Sequence, residues 1–140
     1  MSKVLGIIAE YNPLHNGHLY HLETSKKLTD ADYTVAIISG NFTQRGSTSI
    51  VDKWSKTKMA LKNGIDLVIE LPVLYSISSA ENFADGAIKI LNSLGIVDYL
   101  SFGAETSDIS ILNNIANILC SEHEEYKNLL SIELEKGLSF

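Results

Sequence analysis

Three histidines lie close together near the start of the chain, in the run His15-Asn16-Gly17-His18-Leu19-Tyr20-His21. An imidazole can donate a hydrogen bond to a phosphoryl oxygen, and two at one place can stabilise the charge that builds up in a transition state. Gly17 has no Cβ, so a phosphate or a flat ring can approach its backbone closely. The pattern therefore favours a nucleotide phosphate site with His15 and His18 at the chemistry.

Two other interpretations of these histidines stay open at this point. The side chains could serve only to cap the helix that begins here. The spacing of His15, His18 and His21 also allows a zinc triad, although zinc sites usually add a carboxylate or a thiol. Because the Asn16-Gly17 pair suits the approach of a ligand to the backbone, we predict phosphate binding and no metal at this loop.

The elements that must position these residues alternate along the chain. Apolar runs rich in β-branched residues predict strands at 4–9, 34–39, 66–71 and 99–102. Helical periodicity predicts helices at about 18–28, 52–63 and 80–94. Gly64 and Gly95 follow the last turns of two of these helices, where a left-handed cap is expected.

This alternation predicts an α/β fold, a Rossmann-like open parallel sheet with helices on both faces. Uninterrupted apolar strands are typical of sheets that are covered on both sides. Ligands bind such sheets where loops leave the carboxyl ends of strands, and a helix N-terminus there offers free N–H groups to phosphate. The Asn12-Pro13 turn leads from the first strand into the histidines, which therefore fall at the binding edge.

The composition is that of an ordinary globular domain, with 140 residues and 45% hydrophobic content. The net charge of -6 gives no general surface for nucleic acid. The apolar run at the N-terminus is too short for a signal peptide or a membrane span, so we expect a cytoplasmic protein without a membrane partner. We expect a nucleotide-binding domain at 1–106 and a helical extension at 107–140. Because no closing signal follows, we expect the extension to be cut from a longer protein.

Longer motifs carry a resemblance to a known family. HNGH after a strand and Asn-Pro resembles the HxGH signature of the nucleotidylyltransferase superfamily, relatives of class I aminoacyl-tRNA synthetases. The chain as a whole resembles the bacterial tRNA(Met) cytidine acetate ligase family, in EYNPLHNGHLYHL at 10–22, SGNFTQRG at 39–46, DKWSKTKMALKNGIDLVIELP at 52–72 and FGAE at 102–105.

That family is understood to activate acetate with ATP as acetyl-adenylate and to acetylate the wobble cytidine of elongator tRNA(Met). The resemblance implies the strand order 3-2-1-4 and His15 and His18 as ligands of the α-phosphate in the transition state, with Mg²⁺ bridging phosphates. Acetate is ionised at neutral pH and needs no general base. The contacts expected for ATP are Ile8, Ala9, Glu10, Tyr11, Asn12, Pro13, His15, Gly17, His18, His21 and Gly103.

Four further polar residues are candidates for anion or substrate contacts. Asn41 and Arg45 follow the second strand, and the guanidinium of Arg45 presents a planar fork that suits a carboxylate or a phosphate. Lys53 and Lys56 are expected together on one face of the next helix, although such a pair is often only solvated surface. On another face Trp54 and Leu61 are expected to pack on the sheet.

Two other functions stay open. A small-molecule adenylyltransferase shares the strand and HxGH start, and a nucleotide-binding domain could keep the site without catalysis. The family's second ATP-binding signature, a Ser/Thr-rich segment that ends in Arg, has no match in residues 1–140. We therefore expect this chain alone to bind ATP weakly and to be inactive, and to hold tRNA(Met) tightly only as part of a longer protein.

Overall fold

The computed structural model describes residues 2–106, 108–121 and 124–137. Strands and helices alternate through most of the chain. In order they are β1 (Val4–Ala9), α1 (Asn16–Thr29), β2 (Tyr33–Ser39), α2 (Lys53–Lys62), β3 (Leu67–Leu71), α3 (Val73–Ser76), α4 (Ala80–Ser93), β4 (Tyr99–Ser101), α5 (Ile109–Ser121) and α6 (Glu124–Glu135). The chain divides into two compact units, one up to Gly103 and one from Ala104 onward.

The four strands form one parallel sheet in the order β3-β2-β1-β4. Ile7 of β1 lies opposite Ala36 of β2 on one side and Ser101 of β4 on the other. The inner strands are therefore β1 and β2, and both are buried along most of their length. The predicted fold class and strand order are confirmed.

Helices cover both faces of this sheet. One core cluster joins Leu5 and Ile7 of β1 to Leu22 of α1 and Ala60 of α2. The other cluster lies on the opposite face of the sheet. It joins Val4 of β1 to side chains of β2, β3 and α4, including Ala87 and Leu91 of α4. Successive strand residues point to opposite faces, so the run of apolar residues in β1 supplies both clusters.

Local signals set the helix ends. The carboxylate of Asp52 accepts hydrogen bonds from the backbone N–H groups of Trp54 and Ser55 and so begins α2. Gly64 and Gly95 have φ of 95° and 65°, which confirms the predicted left-handed positions after two helices. The sequence prediction did not include α3, a single turn that follows Pro72.

The prediction that Trp54 and Leu61 of α2 pack on the sheet is wrong. Trp54 is 68% and Leu61 46% exposed, whereas Lys56 and Ala60 are completely buried against the sheet. Residues four apart lie on one helix face, and the face that contacts the sheet is the one through Lys56 and Ala60. The spacing of Trp54 and Leu61 describes a real face of α2, but it is the outer one.

The second unit contains α5 and α6, in the order expected for the tail. Neither helix has a buried residue among those described. Of the acidic run noted in the sequence, Glu124 and Glu125 begin α6, and Glu122 lies outside the described residues. Within the described ranges, no helix combines the length and the apolar character that crossing a membrane requires.

Candidate functional site

The loop between β1 and α1 lies at the carboxyl edge of the sheet, where β1 ends between β2 and β4. Tyr11 has φ of 49°, in the left-handed region, and the following Asn12-Pro13 bond is cis. The Tyr11 side chain is 2% exposed, and burial raises its pKa to about 12, so it stays neutral. A buried aromatic ring thus anchors the turn that carries the chain from β1 to the histidines.

His15 and His18 cap α1 reciprocally. Nδ1 of His15 accepts a hydrogen bond from the backbone N–H of Gly17 at 3.1 Å, and Nδ1 of His18 accepts one from the backbone N–H of His15 at 3.3 Å. The two rings stack, with centroids 3.8 Å apart and an angle of 26° between their planes. The capping interpretation of these histidines is therefore correct as far as Nδ1 is concerned.

This cap determines where the ring protons are. A ring nitrogen that accepts an N–H bond carries no proton, so each neutral ring has its proton on Nε2. Neither Nε2 has a hydrogen-bond partner among the described residues. The cap therefore leaves His15 and His18 with one N–H donor each for a ligand, and capping and ligand binding are compatible.

The surroundings of His18 keep its ring neutral. Burial lowers the pKa of His18, and the neighbouring His15 and His21 lower it further. Burial also lowers the pKa of His21. At neutral pH the His18 ring is therefore a neutral donor. Such a donor can bind a phosphoryl oxygen through its N–H while the helix N-terminus adds free backbone donors.

Unlike the other two rings, His21 has a hydrogen-bond partner at Nε2 among the described residues. Its Nε2 lies 2.9 Å from Oγ of Ser101, which is itself 2.7 Å from Oγ of Ser25. These contacts bind the end of β4 to α1. Among the residues that the structure describes, no group of three or more His, Cys, Asp or Glu side chains could hold a metal ion.

A second loop holds the first one in shape. The carboxylate of Glu10 accepts the backbone N–H of Gln44. Oδ1 of Asn12 accepts the hydroxyl of Ser49 at 2.8 Å and the backbone N–H of Ile50 at 2.7 Å. The side chains of Glu10 and Asn12 thus bind protein donors from the segment between β2 and α2. The ATP contacts expected of these two residues would therefore come from their backbone groups.

Lys56 lies beneath this junction and is completely buried, so it does not form a solvated surface with Lys53. Its Nζ donates to the carbonyl of Glu10 at 3.0 Å, and to the carbonyl and the hydroxyl of Ser39 at 3.2 Å each. Burial lowers the pKa of Lys56, and the charges of Glu10 and Glu70 oppose that shift. Its three donors are occupied, so it can act on a substrate only through the loop that it holds.

The remaining candidates divide by whether they already have a protein partner. Oδ1 of Asn41 accepts the backbone N–H of Lys53 at 2.9 Å, and Nζ of Lys53 forms an ion pair with Glu70 at 2.7 Å. Arg45 is exposed and has no hydrogen bond or ion pair within the described part of the chain. Of these three, Arg45 is the side chain available to an anion.

The other expected contacts lie where the strands end. Ile8, Ala9 and Pro13 are half-buried along the end of β1 and the turn after it. Gly103 follows β4, which pairs with β1, and a Cβ at Gly103 would meet no atom within 4 Å. The sequence prediction missed Ser101, since its contact with His21 joins residues 80 positions apart and only the strand order points to it.

Known proteins resemble this chain over almost all of its length. The family model described as HIGH Nucleotidyl Transferase matches residues 2–140. A tRNA(Met) cytidine acetate ligase from a Thermoanaerobacter species is 61% identical over 137 residues, which is 98% of this chain and 34% of that protein. The ligase of the same name from Acetivibrio thermocellus is 59% identical over 138 residues, 99% of this chain and 33% of that protein.

Solved structures show the same fold. Thermotoga maritima TmcAL bound with alpha-thio ATP matches with a TM-score of 0.89 and 47% identity, over 99% of this chain and 34% of that one. The apo form of the same protein matches with a TM-score of 0.92. The chain therefore spans about a third of the length of these relatives. With its HNGH run at the start of α1 and a family match from residue 2 to residue 140, it belongs to the HIGH nucleotidyl transferase family.

Proposed function

We propose that this chain is the ATP-binding part of a tRNA(Met) cytidine acetate ligase, which makes acetyl-adenylate from acetate and ATP and acetylates the wobble cytidine of tRNA(Met). The observation that carries the proposal is the pair of Nε2–H donors of His15 and His18 at the carboxyl end of β1. Relatives that share 61% and 59% identity have that name, and a solved relative binds an ATP analogue.

In the first step a carboxylate oxygen of acetate attacks the α-phosphorus of ATP. A new P–O bond forms while the bond to the β-phosphate oxygen breaks, and pyrophosphate leaves with the electron pair. Acetate is already ionised, so no base is required. His15 and His18 donate to the α-phosphate oxygens, on which negative charge increases as the step proceeds, and fixed donors of this kind supply much of the rate.

In the second step the exocyclic amine of cytidine attacks the acetyl carbon. The new N–C bond replaces the acyl C–O bond, AMP leaves, and the amine loses a proton. Only a third of the relatives' length is present here, so the surface that binds the body of the tRNA belongs to the rest of such a protein. A net charge of -6 agrees with that division.

We propose the cytoplasm as the compartment.

The ATP contacts follow from the loop. We propose that residues 1–106 are the nucleotide-binding domain, and that backbone groups there surround the nucleotide together with His15 and His18. His21 acts indirectly, because it holds the loop through Ser101. The proposed contacts are Ile8, Ala9, Glu10, Tyr11, Asn12, Pro13, His15, Gly17, His18 and Gly103, with His21 in a supporting position behind them.

Mg²⁺ is proposed as the companion of ATP. The carboxylates of Glu10 and Glu70 at this edge of the sheet each bind a protein donor already, the N–H of Gln44 and, through Oε2 of Glu70, the ammonium of Lys53. The ion would therefore be held mainly by phosphate oxygens and water, as Mg²⁺ often is at nucleotide sites. It would neutralise charge on the phosphates, while the histidine pair binds the α-phosphate.

Calorimetry with a stable mimic of acetyl-adenylate tests this proposal without requiring turnover. We expect acetyl-sulfamoyl-adenosine to bind more tightly than sulfamoyl-adenosine, because the acyl group completes the intermediate. The matched control is a dinucleotide such as NAD. Tighter binding of the dinucleotide would favour a small-molecule adenylyltransferase, and binding of ATP without any preference for the acylated mimic would favour a nucleotide-binding domain without this catalysis.

A further inference from the structure

The single tryptophan of the chain, Trp54, lies exposed at the start of α2. Its side chain is 68% exposed, a large fraction for an indole, which is apolar over most of its surface. It lines a small cavity of about 140 Å³ at the carboxyl ends of β2 and β3, together with Gly40, Lys53 and Glu70. The acetate activation proposed above takes place at the neighbouring end of β1 and makes no use of this indole.

Two charged groups accompany the ring. Nζ of Lys53 lies 5.4 Å from the Trp54 ring centroid and 2.7 Å from Oε2 of Glu70. The side chains of Lys53 and Glu70 keep 32% and 47% of their exposure, so the pair is open to solvent. A cation on one side of an indole that is mostly exposed leaves the rest of the aromatic surface free for a flat ligand.

One carboxylate oxygen in this group has no donor. Oε2 of Glu70 accepts Lys53, but Oε1 has no hydrogen-bond partner in the described part of the chain. Oε1 lies against Gly40, where a Cβ would come within 2.2 Å of it. Glycine at position 40 therefore lets the carboxylate lie in the cavity beside Trp54, with one acceptor unused.

We propose that Trp54, Lys53 and Glu70 bind the cytosine base of the RNA acceptor, an inference that rests on the proposed function. The base stacks on the indole, a contact that every nucleobase can make. Oε1 of Glu70 accepts from the exocyclic amine of cytosine, and the ammonium of Lys53 donates to its O2 carbonyl. Uracil has a carbonyl oxygen in place of that amine, and the carboxylate repels it.

This group lies on the same edge of the sheet as the histidine loop. Neighbouring strands of a sheet are about 4.8 Å apart, so the end of β3 lies about 10 Å along the edge from the end of β1. A base beside Glu70 and an acetyl-adenylate at the histidine loop would thus share one edge of the sheet. Arg45, exposed and without a partner among the described residues, is in the loop before Trp54 and offers a cation for a flanking phosphate.

Trp54 itself is the reporter, since its fluorescence is the only tryptophan signal of the chain. The probes are two anticodon stem–loops of tRNA(Met), with cytidine or uridine at the wobble position, titrated at low salt. We expect the cytidine RNA to quench the fluorescence and to bind about fivefold more tightly or better than the uridine RNA. Measured by anisotropy of labelled RNA, Glu70→Gln should remove that preference.

Variants of the ring separate stacking from folding. Trp54→Ala should weaken RNA binding about fivefold or more, and Trp54→Phe should restore most of it. Leu61→Ala, which truncates another exposed side chain of α2, is the matched control and should leave the affinity unchanged. Equal loss in Trp54→Phe and Trp54→Ala would contradict a stacking role.

Equal affinity for the two RNAs, or an emission that shifts with protein concentration before RNA is added, would overturn the inference. The second result would assign this face to another copy of the chain. ATP binding, measured by calorimetry, distinguishes failure of the cytosine site from failure of the proposed function. ATP binding without a preference for cytidine overturns this inference alone, whereas a wild-type chain that does not bind ATP overturns the proposed function.

Discussion

At the scale of single residues, the histidine pair caps α1, and the proposed function gives it phosphate binding as a second task; the sequence presents the two as alternatives. Nδ1 of each ring caps α1, and because it does, the proton remains on Nε2, where a phosphate can accept it. A helix cap is usually a short polar side chain such as Ser or Asp. Histidine at this position adds a second nitrogen, so a structural contact fixes the tautomer that the proposed chemistry needs.

The titration of His18 is the first prediction at this scale. We expect a midpoint below the ordinary 6.5, because burial and the neighbouring histidines oppose the charged ring. Folding then excludes a proton, so the stabilising effect is complete above pH 6.5 and is lost as the pH falls through the lower folded pKa. Nuclear magnetic resonance of the imidazole protons, assigned with His18→Ala, measures it. A midpoint at or above 6.5 would contradict the burial described for this ring.

Lys56 gives the second prediction. Lys56→Met removes the donor to both oxygens of Ser39 and leaves the carbonyl of Glu10 with only the 3.4 Å bond from the Ser39 hydroxyl, and unpaired buried acceptors cost about 1–3 kcal/mol. Chemical denaturation should show a loss of that size in the free energy of unfolding. Lys58→Met is the control, since Lys58 is exposed on the same helix and should change stability by less than about 0.5 kcal/mol. Similar effects of the two substitutions would argue against the buried cluster.

At the scale of elements, the strands could be predicted well and the outer helix surfaces less well. Uninterrupted apolar runs identify β1 and β2 because both of their faces are buried. The orientation of α2 could not be predicted from apolar spacing, since the buried face contains Lys56, a residue that is almost never buried without partners. Its three acceptors come from residues 17 and 46 positions away, which no local pattern records.

The contacts between the loop after β1 and the loop after β2 could not be predicted from the sequence either. The family resemblance implies Glu10 and Asn12 as ATP contacts, and the structure shows that their side chains bind the segment from Gln44 to Ile50. The motif resemblance identified both segments without saying that they bind each other. Polar side chains at a sheet edge can bind a ligand or a neighbouring loop, and only the three-dimensional pairing of loops decides between the two.

The contact between α3 and α4 gives a prediction at this scale. A Cβ at Gly86 of α4 would lie 2.5 Å from Cγ and 2.9 Å from Cβ of Tyr75 in α3. Alanine improves helix propensity by about 1 kcal/mol, but overpacking costs about 1–3 kcal/mol, so Gly86→Ala should lower the melting temperature. In a Tyr75→Ala background the collision is gone and Gly86→Ala should be stabilising. A gain in stability in the wild-type background would show that α3 is not packed here.

At the scale of the whole molecule, the strand order explains why distant segments meet. The order β3-β2-β1-β4 places the ends of four strands along one edge, so residues from Glu10 to Gly103 can serve a single nucleotide. The chain spans about a third of the relatives that it matches. Under the proposed function, the acidic net charge leads us to expect that other parts of a full-length ligase hold most of the polyanionic RNA.

A comparison of the 140-residue chain with a full-length ligase tests whether residues beyond this chain are needed for acetyl transfer to RNA. We expect the 140-residue chain to unfold cooperatively and to bind ATP, but not to transfer label from acetate to tRNA(Met) in the presence of ATP. The full-length ligase from Acetivibrio thermocellus, 59% identical over the shared region, is the positive control. Transfer by the short chain at a rate near that of the control would show that residues 1–140 are sufficient.

The most direct measurement for the central claim is the affinity for ATP of the wild-type chain and of His18→Ala, by calorimetry. A hydrogen bond to a charged group contributes about 1.5–3 kcal/mol, so loss of the Nε2–H donor should weaken binding at least about tenfold. Tyr20→Ala, which removes a side chain that is 72% exposed on the same helix, should leave the affinity unchanged. If His18→Ala binds ATP as tightly as the wild type, the histidine loop does not hold the phosphates.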